Sequence, residues 1–88
     1  MDEIYSVYVI QSQVDKRLYV GMSRDIKKRL QEHNNGEVFS TKGYRPLVLV
    51  YSEVVGSRVL ARKQEQYLKG GSGKEFIKNL LNSGVAQR

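Results

Sequence analysis

Apolar positions along the chain recur with two periods. Ile4 to Ile10 is short, β-branched and aromatic, which predicts a strand. Gln11 to Lys16 is polar and holds the turn signal Asp15-Lys16. Arg17-Leu18-Tyr19-Val20 then reads as a second strand, hairpinned to the first. Ile26 and Leu30 lie four apart, so a helix is expected from about Arg24 to His33, with Ser23 as its N-cap and Asp25 in its first turn. Asn34-Asn35-Gly36 stops it. Residues 37–46 are polar and mixed and read as a loop. Leu47 to Val55 has the longest apolar run, on both faces at Leu47–Tyr51, and is expected to be the central strand. Gly56-Ser57 breaks it and caps a helix over Arg58–Lys69, which Gly70-Gly71 ends. Ser72 and Glu75 have capping-box spacing for a third helix. Its apolar stripe is Phe76, Ile77, Leu80 and Leu81. Three strands with helices packed on them predict a small α/β or α+β domain.

Composition narrows the picture. The 88 residues, 40% hydrophobic, suffice for one core, so a single domain over residues 1–83 is expected, with 84–88 as a frayed tail. Fifteen basic against nine acidic residues give a net charge of +6, which points to a polyanionic partner. No cysteine is present and only one histidine. That excludes disulfides, thiolate zinc sites, a cysteine nucleophile and a multi-histidine metal site. No apolar run approaches the ~20 residues of a membrane span. The acidic start leads straight into a strand, so no signal peptide is expected. The expectation is a soluble, cytoplasmic protein.

Candidate chemistry centres on Glu65. Ala61 lies four residues before it and Leu68 three after, so its carboxylate shares a stripe with apolar neighbours. Either it pairs with a nearby arginine, or it ligates a hard cation that completes its shell with water and phosphate. Arg29 and His33 share one helix face. They are either a solvated basic surface or a phosphate-neutralising guanidinium with a proton-transferring imidazole. Tyr8 and Tyr19 lie in adjacent strands, and either pair across the hairpin or turn their hydroxyls to a cleft. Arg24, Lys27, Lys28, Lys42, Arg45, Arg62 and Lys63 flank that cleft as a footprint for a phosphate backbone, read with little sequence specificity. Gly70-Gly71-Ser72-Gly73-Lys74 fails as a phosphate-binding loop: Glu75 stands where Ser or Thr is needed, and Leu68 where Gly is needed. It reads as a turn between helices.

In order and spacing, Ser6-Val7-Tyr8, Tyr19-Val20-Gly21, Arg29, His33 and the segment Ala61–Lys69 around Glu65 resemble the GIY-YIG nuclease superfamily. Ser40-Thr41-Lys42 through Arg45-Pro46, and Gly71–Phe76, resemble its small stand-alone bacterial members. Ser6 and Val7 replace Gly and Ile in the first motif, but Tyr8 is kept. The resemblance implies a three-stranded antiparallel sheet flanked by about three helices. It implies hydrolysis of DNA phosphodiesters with one Mg²⁺ or Mn²⁺ ion per site, with repair or recombination as the setting. Glu65 would hold the metal. Tyr8 would receive the proton of the attacking water, relayed through His33. Tyr19 would position water or phosphate, and Arg29 would stabilise phosphate charge. Gly21 would admit a close backbone approach beside Ser23 and the basic residues of the DNA footprint. A second recognition module is not expected, so a homodimer or an unidentified partner would supply substrate choice. The alternative is a nucleic-acid-binding module of the same fold with little or no catalysis.

Overall fold

The computed structural model describes residues 3–83, so the expected tail at 84–88 lies outside the described residues. Its elements run β1 (Tyr5–Ser12), β2 (Leu18–Ser23), α1 (Ile26–Asn34), a 3₁₀ helix (Phe39–Tyr44), β3 (Leu47–Gly56), α2 (Arg58–Lys69) and α3 (Gly71–Ser83). The three strands form one antiparallel sheet in the order β2-β1-β3, an α+β domain as expected. None of the described helices is long and apolar enough to cross a membrane.

The central strand is β1, not β3. The hairpin pairs β2 with one edge of β1, and β3 pairs with the other edge of β1 instead of the open edge of β2, so the strand with the most buried side chains lies in the middle. Val7, Tyr8, Val9 and Ile10 are buried on both sheet faces, whereas Val48 and Leu49 of β3 are each 41% exposed. An apolar run reports hydrophobicity and leaves strand order open.

Val7 and Val9 point to the face covered by α2 and α3, where they pack with Ala61, Leu68 and Ile77. Tyr8 and Ile10 point to the other face, against Leu47, Ile26 and Leu30. The third helix presents Ile77, Leu80 and Leu81 to the first cluster, while Phe76 meets Tyr51 edge-on at 5.7 Å.

Local corrections have local causes. Asp25, not Ser23, caps α1: its carboxylate accepts from the Lys28 N–H, while the Ser23 hydroxyl braces the Asp25 backbone. The segment 37–46 contains a 3₁₀ helix where a loop was expected. Helix α3 begins at Gly71, so Ser72 lies inside its first turn instead of preceding it. A Cβ on Gly73 would run into the Tyr67 carbonyl oxygen and the Leu68 Cα, so glycine there sets the close approach of α3 to α2. Asn34 does more than stop α1. Its amide donates to the Leu47 carbonyl at 2.8 Å and accepts from the Leu47 N–H at 2.7 Å, tying the helix end to β3.

Candidate active site

Tyr8 stands opposite Gly21 in the β1–β2 ladder. A Cβ at position 21 would collide with the Tyr8 hydroxyl and ring. The bare Cα therefore admits the Tyr8 ring across β2. There the hydroxyl lies 3.1 Å from His33 Nε2, and the rings meet edge-on. Both residues are buried. His33 Nδ1 lies 2.8 Å from the hydroxyl of Thr41, which in turn lies 3.4 Å from the Val38 carbonyl.

A carbonyl only accepts, so the Thr41 hydroxyl donates to Val38 and accepts from His33 Nδ1–H. That leaves Nε2 as the acceptor of the Tyr8 O–H. The chain of bonds thus points one way, Tyr8 to His33 to Thr41 to Val38. Burial holds the His33 imidazole below its ordinary pKa, and the Arg29 charge adds to this against Glu32. Burial also raises the Tyr8 phenol above its ordinary value, outweighing the hydrogen bond and charge of Arg29. Both rings are neutral near pH 7.

Tyr8, Tyr19, Arg29, His33 and Glu65 line one cavity of about 210 Å³, joined by Gly21 and by Val38, Ser40 and Thr41 of the segment after α1. Tyr8 and Tyr19 do not form the cross-strand pair. Tyr8 packs on His33, and Tyr19 tilts against Tyr44 at 6.1 Å. Arg29 pairs with Glu32 at 2.9 Å and lies beside the Tyr8 hydroxyl.

Glu65 is both ion-paired and cavity-lining. It makes ion pairs with Arg62 at 3.6 Å and Lys69 at 3.5 Å, and its 14% exposed side chain still lines the cavity. Among the described residues no group of three or more His, Asp or Glu side chains could hold a metal. One carboxylate with neighbouring phenols suits only a hard cation that keeps water and takes phosphate oxygens.

The expected backbone footprint divides. Of its members only Gly21 lines the cavity shared by Tyr8 and Glu65. Ser23, Arg24 and Lys28 line an adjacent hollow of about 180 Å³ with Asp25, Arg29 and Glu32, and Arg24 also pairs with Glu3 at 2.7 Å. Lys42 and Arg45 line another, of about 510 Å³, with Arg45 packed over Gly36. Arg62 is turned to Glu65, and Lys27 and Lys63 are exposed on their helices and line none of these hollows. Sequence reasoning missed the part of Thr41. Its signal was its place in Ser40-Thr41-Lys42, a segment that carried the family resemblance but no role for Thr41, because eight residues separate it from His33 and no shared helix links them.

Residues 4–80 match the family described as the GIY-YIG catalytic domain. A UPF0213 protein of Staphylococcus saprophyticus is 38% identical over 85 residues, covering 96% of this chain and 100% of its own. A UPF0213 protein of Syntrophus aciditrophicus is 42% identical over 73 residues, with 81% and 83% covered. One from Haloquadratum walsbyi is 34% identical over 70 residues, 78% of each chain. No solved structure gives a significant match.

Proposed function

The chain belongs to the GIY-YIG family of nuclease-type catalytic domains, and from that premise we propose that it is a divalent-metal-dependent endonuclease that hydrolyses phosphodiester bonds in DNA. The observation that carries this reading is the cavity lined jointly by Tyr8, Tyr19, Arg29, His33 and Glu65, drawn from β1, β2, α1 and α2.

Tyr8 is the general base. It takes a proton from the attacking water as it passes its own to His33 Nε2, so no free phenolate is needed despite the raised pKa. The imidazolium that results keeps its Nδ1–H on Thr41. Burial, with the Arg29 charge nearby, makes that cation a ready proton donor: Nε2–H returns its proton to the Tyr8 oxygen as Tyr8 releases the water's proton toward the departing oxygen or solvent. The Arg29 guanidinium stabilises charge on the phosphate. Tyr19 orients water or phosphate. Glu65 would hold the metal. When bound, a divalent cation supplies charge neutralisation at the non-bridging oxygens. DNA is held through its phosphates with little sequence specificity, in repair or recombination.

The test is cleavage of labelled duplex, nicked, branched and single-stranded DNA with Mg²⁺, Mn²⁺ or EDTA. Glu65→Gln should lower metal-dependent cleavage by about a hundredfold or more while DNA binding persists. A variant that cuts like the parent would remove Glu65 from the reaction.

A further inference from the structure

A second concavity lies where the β1–β2 hairpin meets α3. It has a volume of about 650 Å³, the largest of the hollows described, and its polar lining is Gln11, Lys16, Arg17, Lys74, Lys78 and Asn82. Four cations face it and, among the described residues, no carboxylate lines it; the Asp15 partner of Arg17, 3.1 Å away, does not contribute to the wall. Lys74 and Lys78 are one helical turn apart, a spacing at which like charges repel. Lys16 sits at φ 66°, a backbone conformation usually left to glycine or asparagine. The wall is open, and its apolar part, Leu18 and Leu81 with the stems of the exposed lysines, does not enclose a small molecule. The four cations suit a flexible polyanion instead.

Side-chain contacts link the wall of the concavity to that of the reaction cavity. The Arg17 guanidinium stands 4.3 Å from the centre of the Tyr44 ring, Tyr44 tilts against Tyr19, and Tyr19 lines the reaction cavity. Strand β2 is a sheet edge, and three hollows follow it in sequence. Arg17 and Leu18 line the basic concavity, Tyr19 to Met22 the reaction cavity, and Ser23 and Arg24 the hollow beside α1. From Leu18 to Arg24 this edge runs about 20 Å at ~3.3 Å per residue.

We propose that Lys16, Arg17, Lys74 and Lys78 form a second phosphate-backbone site, which holds the substrate DNA strand to one side of the bond being cut, so that the strand runs along the β2 edge. This rests on the nuclease reading and adds to it a direction and a minimum length of substrate.

The test is fluorescence anisotropy of labelled single-stranded DNA in EDTA over a range of salt, comparing the parent with Lys74→Ala/Lys78→Ala. Circular dichroism of each protein checks the fold. For a strand of about 12 nucleotides the double variant should bind about tenfold more weakly at low salt, with the salt slope shallower by about 1.4, as for two lost phosphate contacts. A dinucleotide, too short to reach from the reaction cavity to the lysines of α3, should bind both proteins alike. Equal losses for both lengths, or no loss for either, would overturn the placement. A parent that cuts DNA while the double variant binds long strands normally would overturn this proposal alone. A parent that neither binds nor cuts DNA would overturn the nuclease reading as well.

Discussion

At the scale of single residues, the hydrogen-bond chain from Tyr8 to Val38 separates chemistry from architecture. Tyr8→Phe keeps the ring that covers Gly21 and removes only the O–H, so the fold should lose about 1 kcal/mol. Cleavage should fall by about a hundredfold or more, because no group remains to exchange the proton with His33. Thr41→Val keeps the shape but orphans the buried Nδ1–H of His33, which should cost about 1–3 kcal/mol. The imidazole is then free to present its N–H to Tyr8, so kcat should fall with KM for DNA unchanged. Thermal melts and single-turnover cleavage check both variants. A Thr41→Val protein with the parent's stability and rate would mean that the hydroxyl fixes nothing.

At the scale of elements, Glu65 depends on how α2 is held. It sits mid-helix between Ala61 and Leu68, both buried against the sheet and α3. Gly73 sets the α2–α3 contact, and the obstacle to a side chain there is the backbone of α2 itself, which cannot rotate away. Gly73→Ala should therefore cost about 1–3 kcal/mol and lower Tm by roughly 5–20 °C. A Cβ at Gly71 would meet nothing within 4 Å, so Gly71→Ala should leave Tm unchanged or slightly raised. Matching melts for the two variants would refute the close-approach argument. Cleavage should fall only with Gly73→Ala, since a displaced α2 moves Glu65 away from the cavity.

Stability of the whole molecule should carry the mark of one histidine. In the folded chain burial lowers the His33 pKa below 6.5, whereas in the unfolded chain the ring titrates near its ordinary value. As pH falls below about 6.5 the unfolded chain takes up the proton first, so stability declines until the folded value is passed. Above that window both states are neutral and the full contribution is present. Urea midpoints measured between about pH 7.5 and 5.5 should fall with pH for the parent and stay flatter for His33→Phe. Identical slopes would mean that His33 is not held neutral by the fold.

Periodicity along the chain by itself determined the three strands and the three α-helices, because those signals are carried by neighbours three or four apart, or two apart, in sequence. Glu65 stood out locally, as a carboxylate on an apolar stripe, whereas Tyr8, Tyr19, Arg29 and His33 joined it as a set only through the order and spacing that resemble the GIY-YIG family. Only the tertiary structure decided what depends on distant segments meeting. Edge pairing put β1 in the centre, though β3 has the longer apolar run. The 3₁₀ turn brought Thr41 to His33 across a stretch with no shared period. The hairpin and α3 gathered Lys16, Arg17, Lys74 and Lys78, whose charges look like ordinary surface residues when read one at a time. Local sequence sets which conformation a segment prefers. Which segments touch is set by burial summed over the whole chain, and no short stretch of sequence records that sum.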